Sequence, residues 1–125
     1  MGDNRLGLAK ILVVEDERIT AKDIKRSLEK AGYYVPAMVA TGEDAIKFSE
    51  KYKPDLVLMD IRMPEMDGIS ASKLIRKYYP DLPIIAQTAY AMEDGLEKIG
   101  KECINDYLAK PIKQSELINI LIKYI

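Results

Sequence analysis

Four small groups of polar residues in this chain could do chemistry: Glu15-Asp16, Asp60, Thr88-Ala89 and Lys110. Each follows an apolar run: ILVV precedes Glu15, LVLM precedes Asp60, IIAQ precedes Thr88 and YLA precedes Lys110. Carboxylates gathered in one place raise one another's pKa, and a divalent cation relieves the repulsion. Oxygen donors without imidazole or thiolate select a hard ion, so Mg²⁺ (or Mn²⁺) fits the set. Such an ion prepares the site for phosphoryl transfer, with Asp60 as a nucleophile that becomes an aspartyl-phosphate. Lys110 supplies a point charge for a phosphoryl oxygen, and the Thr88 hydroxyl and Ala89 N–H supply donors. Singly, each has an ordinary alternative: Asp60 as a turn residue, Glu15-Asp16 as a helix cap, Lys110 as a solvated charge. Their recurrence at successive run ends favours the chemical reading. The chain contains no histidine, so any imidazole in the reaction must come from another molecule.

The elements that must position these groups are legible as alternation. Five β-type runs, KILVVE, YYVPAMV, DLVLMD, PIIAQT and DYLAK, are separated by helix-type runs. Four of them are continuous apolar stretches, as strands of a parallel sheet buried on both faces should be. The second contains Pro36, which cannot donate to a ladder, and this predicts an edge strand. Ala21, Ile24, Leu28 and Ala31 fall at helical spacing and predict a first helix that stops near Gly32. Thr41-Gly42-Glu43-Asp44 predicts the cap of a second, ending before Lys53-Pro54. A third is expected from about Gly68 to Tyr79, a fourth from about Glu93 to Gly100, and a fifth from Ser115 to the end. Strict alternation implies right-handed crossovers and helices on both faces. In such α/β sheets ligands sit beyond the carboxyl ends of the strands, which is where the four polar groups fall.

The 125 residues suit one domain with its own core; residues 1–9 read as a loose leader and 10–125 as the domain. Nineteen basic residues against 20 acidic ones give no electrostatic reason to expect nucleic acid or an anionic membrane as partner. No apolar run approaches the roughly 20 residues of a membrane span, and MGDNRLGLAK lacks the apolar centre of a signal peptide. One cysteine, Cys103, cannot form an internal disulfide, so a cytoplasmic location is expected.

The motifs ILVVEDE, LVLMDIRMPEMDG, IIAQTA and DYLAKP, in this order and spacing, resemble those of the response-regulator receiver domains of two-component signalling, CheY-like in form. The resemblance covers Lys10 to Ile125. It implies a doubly wound, flavodoxin-like (βα)5 fold, with a five-stranded parallel sheet in the order 2-1-3-4-5. It makes Asp60 the phosphoacceptor. Glu15 and Asp16 match the acidic pair that holds Mg²⁺ together with Asp60 and the Arg62 backbone carbonyl, although Glu15 stands where the family more often has Asp. Lys110 matches the phosphate-pairing lysine, joined by a cis bond to Pro111, and Thr88 and Tyr107 match the switch pair. The phosphoryl group would come from a histidine kinase, a histidine phosphotransfer protein or a small phosphodonor.

Two bulky residues near the acceptor, Arg62 and Tyr90, are expected to shield the aspartyl-phosphate from water. Ile19 lies off the buried face of the first helix, in the neighbourhood that docks the phosphohistidine partner in the family. On the last helix Leu117, Ile120, Leu121 and Tyr124 form a core stripe. Ile118, Ile122 and Ile125 widen it beyond the ~100° a core-facing helix needs, which predicts an exposed flank for a target or a homodimer.

The leading expectation is a phosphorylation-controlled switch, not a turnover enzyme, that relays its state through Thr88 and Tyr107 to the surface of the fourth helix, fifth strand and fifth helix. A haloacid-dehalogenase-type phosphatase would want Asp-x-Asp where this chain has Asp60-Ile61-Arg62. A flavin module would want a Ser/Thr/Gly-rich loop where it has Glu15-Asp16-Glu17. A phosphorylation-independent interaction module would usually lose an acid, the acceptor or the lysine, and all are present here. IIAQTAYAMED resembles receivers attached to hybrid sensor kinases, so a free-standing regulator and a receiver from a larger protein both stay open.

Overall fold

In a computed structural model of the chain, residues 8–61, 68–88 and 103–125 are described. In chain order they form β1 (Ile11–Val14), α1 (Arg18–Lys30), β2 (Met38–Val39), α2 (Gly42–Tyr52), β3 (Leu56–Asp60), α3 (Gly68–Tyr78), β4 (Ile84–Thr88), β5 (Asp106–Ala109) and α4 (Gln114–Tyr124). All five strands run parallel in the order β2-β1-β3-β4-β5. The predicted helical run near 93–100 and the leader up to residue 7 lie outside the described residues. Among the described residues no helix is long and apolar enough to cross a membrane.

The two faces of the sheet follow from strand alternation. Leu12, Val14, Val57, Met59, Ile84 and Ala86 enter one buried cluster with Ala45 of α2 and Ala71 and Ile75 of α3. Ile11, Val13, Leu56, Leu58 and Ile85 enter the other with Ile24 and Leu28 of α1 and Leu117 and Leu121 of α4. Nearly all of these side chains are fully removed from solvent, at roughly 1.5–3 kcal/mol of transfer free energy for each large one. Because both faces are covered, the strands have no polar side to show, which is why they read as continuous apolar runs.

The edge strand is shorter than its run of sequence. Tyr34 bridges Lys10, and contact with β1 resumes at Ala37, whose carbonyl accepts from the Val13 N–H at 3.4 Å, with Met38 and Val39 in register beyond it. Pro36 lies between these two contacts, in the part of the run that stays out of the ladder. Helix ends follow local chemistry. The Thr41 hydroxyl accepts from the Asp44 N–H at 3.1 Å and caps α2. Beyond α1, Gly32 takes a left-handed φ of +93°. Ala31, the last of the four residues whose spacing predicts α1, is its exposed C-cap, and Ala21, Ile24 and Leu28 are buried.

The last helix corrects another expectation. Ile118 does not join an exposed flank; it packs against the cluster beneath α1 and α4 with Ile120 and Tyr124. It lies one residue past buried Leu117 and three before buried Leu121, on the shoulder of the stripe. Ile122 and Ile125 are exposed, 68% and 44%, so the flank is narrower than the sequence predicts.

At the amino-terminal edge of the sheet Arg76 organises the backbone. Its Nη1 donates to the carbonyls of Tyr79, Pro80 and Leu82, and its Nη2 to the Cys103 carbonyl and Asn105 Oδ1. Asn105 Oδ1 also accepts from the Ile84 N–H at 2.9 Å. The end of α3, the lead into β4 and the lead into β5 are thereby held by one guanidinium.

Candidate functional site

The register of the sheet brings the polar strand ends level. Val14 pairs with Met59, Asp60 with Gln87, and Thr88 with Ala109. Glu15 therefore emerges beside Asp60, and Lys110 beside Thr88, whose carbonyl accepts from the Lys110 N–H at 2.9 Å. Glu15, Asp60 and Thr88 are 3%, 2% and 2% exposed, so three polar side chains are buried at one edge. Asp16 is exposed. One carboxylate oxygen from each of Glu15, Asp16 and Asp60 lies within 4.8 Å of the other two.

Lys110 Nζ lies 3.0 Å from Glu15 Oε1 and 3.1 Å from Asp60 Oδ1. Its bond to Asp60 is a directed hydrogen bond, whereas its approach to Glu15 is a charge contact, since Glu15 Oε1 has no well-aligned donor among the described residues. The other Glu15 oxygen accepts from the Glu17 N–H at 3.1 Å. One ammonium thus stands against two buried carboxylates and a third at the rim. Burial is the main reason the Asp60 carboxyl is pushed up to about 7; hydrogen bonding and charge from Glu15 add to it and Lys110 opposes it. For Lys110, burial works against the ammonium, but Glu15 and Asp60 outweigh it and hold the pKa above the ordinary lysine value.

This donor set fits a hard divalent cation. It is all oxygen and acidic, it converges, and its inner carboxyl is under electrostatic strain that one more positive charge would relieve. Glu15, Asp16 and Asp60 are the residues that could hold such an ion. Arg62, whose carbonyl is the fourth expected ligand, lies outside the described residues, as do Ala89 and Tyr90.

Gly68 contributes something its place in the sequence does not suggest. Read as a turn residue, it also brings the start of α3 against the end of β3: its N–H donates to the Ile61 carbonyl at 2.8 Å. A Cβ there would overlap the backbone carbonyl oxygen of Asp60. The main chain at Asp60 is therefore clamped from behind, and only glycine permits the approach. The sequence signal was present in Asp67-Gly68, but a turn and a close approach look alike in one dimension.

The remaining predicted residues are placed as follows. The Lys110–Pro111 peptide bond is cis. Tyr107, registered with Ala86, is half-buried against the cluster under α2 and α3. Ile19 is 78% exposed on α1.

Relatives are numerous. The chain is 40% identical over 115 residues to the transcription factor Skn7 of Saccharomyces cerevisiae, covering 92% of this chain but 18% of that protein. It is 34% identical over 114 residues to the chemotaxis protein CheY of Thermotoga maritima, covering 91% of this chain and 95% of CheY. Among solved structures, the receiver domain of the sensor histidine kinase PA1611 of Pseudomonas aeruginosa superposes with a TM-score of 0.86 at 39% identity, covering 94% of this chain and 98% of that one. That structure holds a magnesium ion coordinated in its active-site cleft. Residues 11–122 match the model of the response regulator receiver domain, and the chain belongs to that family, whose members are the phosphoacceptor switch domains of two-component signalling.

Proposed function

We propose that this receiver domain is switched by phosphorylation of Asp60. An Asp60 carboxylate oxygen attacks the phosphorus of a phosphohistidine on a histidine kinase or phosphotransfer protein. A P–O bond forms, the P–N bond breaks, and the electron pair leaves with the imidazole. Glu15, Asp16, Asp60 and the Arg62 carbonyl would hold Mg²⁺ or Mn²⁺, which supplies charge compensation for the phosphoryl oxygens. Lys110 pairs with one such oxygen, and the Thr88 hydroxyl and Ala89 N–H donate to others. Arg62 and Tyr90 limit access of water to the product. Ile19 belongs to the surface that meets the phosphohistidine partner. Thr88 and Tyr107 carry the change to the side of β5 and α4, where Ile122 and Ile125 offer an apolar contact for a downstream target or a second copy.

The observation that carries this reading is Lys110 Nζ held between buried Glu15 and Asp60 at 3.0 and 3.1 Å. A cation already directed at a strained carboxyl is poised to exchange a carboxylate partner for a phosphoryl oxygen. The test is acetyl phosphate with Mg²⁺, followed by intact mass. The wild type should gain one phosphoryl group and Asp60→Asn none. An equal gain in the variant, or none in the wild type with either acetyl phosphate or a phosphorylated histidine donor, would overturn it.

A further inference from the structure

Gln87 of β4 is 0% exposed, as are Ile85 and Ala86 before it. Its carboxamide nitrogen donates to the Val14 carbonyl at 3.3 Å. In the sheet β3 lies between β1 and β4, so this side chain reaches over the middle strand. Val14 is registered with Met59 and Gln87 with Asp60, which puts the crossing level with Asp60. The main chain makes a second tie: the Gln87 carbonyl accepts from the Ile61 N–H at 3.2 Å. One residue therefore holds Val14, immediately before Glu15, and Ile61, immediately after Asp60.

Packing alone does not ask for an amide here. Burying one is unfavourable unless its groups are paired, and the Gln87 oxygen has no partner among the described residues. An apolar side chain like that of Ile85 would avoid this cost. What the carboxamide adds is the N–H bond to β1, and that bond lies where spacing matters. Glu15 and Asp60, on the two chains it ties, each place an oxygen within 4.8 Å of the other and of Asp16. Mg²⁺ demands a near-octahedral set of oxygens at about 2.0–2.1 Å, whereas Ca²⁺ accepts about six to eight at about 2.3–2.6 Å in loose geometry. How firmly the two acids are spaced therefore decides which ion is preferred.

We propose that Gln87 is a positioning residue that fixes the spacing of Glu15 from Asp60 and so makes the site select Mg²⁺ over Ca²⁺. It touches neither the ion nor the phosphoryl group; it acts through the main chain on which the two acids are mounted. This inference rests on the reading of Glu15, Asp16 and Asp60 as the cation site. The main-chain bond to Ile61 survives any substitution at Gln87 except proline, so side-chain variants isolate the tie to β1.

The experiment titrates Mg²⁺ and Ca²⁺ separately into the unphosphorylated protein and reads the Glu15 and Asp60 amides in ¹H–¹⁵N correlation spectra. The wild type should prefer Mg²⁺. Gln87→Leu should weaken Mg²⁺ binding about tenfold, the lower end of what supporting residues contribute, and Ca²⁺ binding only about twofold. The melting temperature of the metal-free variant should be no lower than that of the wild type. Gln87→Met, unbranched and of similar length, should behave alike and serves if Gln87→Leu does not fold. Ile85→Val, a core change two residues away, should lower the melting temperature and leave the ratio of the two affinities unchanged. A ratio unaltered in both Gln87 variants, or altered as much by Ile85→Val, would overturn this inference and leave the cation site standing. No saturable Mg²⁺ response in the wild type would overturn both.

Discussion

The two edges of the sheet each hold a partly buried cation, and the two are used in opposite ways. At the amino-terminal edge Arg76 makes five hydrogen bonds of 2.6–3.1 Å, all to neutral oxygens. At the carboxyl edge Lys110 meets two carboxylates. A planar guanidinium with fixed donors suits several converging carbonyls, whereas an ammonium on a flexible stem acts as a point charge that can change partner. Every polar atom named at the Arg76 edge is satisfied. At the Lys110 edge acids outnumber the base and Asp60 is displaced to about 7. One edge is finished as a structure, and the other is left unbalanced so that something can bind.

The contrast is open to direct attack. The largest effect is expected from Arg76→Ala, which strands several acceptors at once; about 4 kcal/mol should be lost in urea denaturation. Arg76→Lys should recover less than half of it, because one ammonium cannot span the same oxygens. A full rescue by lysine would erase the distinction between the two cations.

Next in size is a pH effect at the other edge. The folded state holds a proton on Asp60 up to about pH 7, while the unfolded carboxyl releases it near 3.8. The folded state therefore binds more protons in that window, and metal-free stability should fall as pH rises from about 4 to 7. The shift corresponds to a fall of about 3 kcal/mol, and Asp60→Asn should flatten the profile. A wild-type profile that rises across this window would contradict the electrostatic picture of the site.

Gly68→Ala forces the start of α3 away from the Asp60 carbonyl and should cost about 2 kcal/mol by overpacking. Phosphorylation by acetyl phosphate should slow as well, since the acceptor's main chain is displaced. Unchanged thermal stability would show that the clamp yields without cost. The smallest effect concerns the ion: Mg²⁺ at tenfold above its Kd should add about 1.4 kcal/mol at pH 7. Asp16→Asn should reduce that gain, as seen in melting curves with and without chelator.

The sequence was most readable where one residue type carries one physical requirement. Pro36 marked the edge strand because its missing N–H excludes it from a ladder. Thr41 marked a helix start because its hydroxyl meets a free N–H. Glu15, Asp60, Thr88 and Lys110 were recognisable together because each ends an apolar run, and parallel registration carries them to one edge. Arg76 escaped notice because its acceptors run from Tyr79 to Asn105 and are mostly backbone, invisible in residue types. Gln87 passed for an ordinary strand residue, since nothing in one dimension says that its amide oxygen is buried without a partner among the described residues. Ile118 was misplaced because a helical wheel gives angles but not the breadth of the surface it packs on.

The Arg76 clasp also has a bearing on chain topology. Residues 89–102 connect Thr88, fixed in β4, to Cys103, whose carbonyl the guanidinium holds three residues before β5 begins. Closure entropy varies only with the logarithm of the length of chain closed, so the clasp adds little to stability by that route. Its consequence is mechanical. With Cys103 held by Arg76, a pull on the chain ahead of β5 is borne by the guanidinium before it reaches the β4–β5 pairing, in which Tyr107 is registered with Ala86.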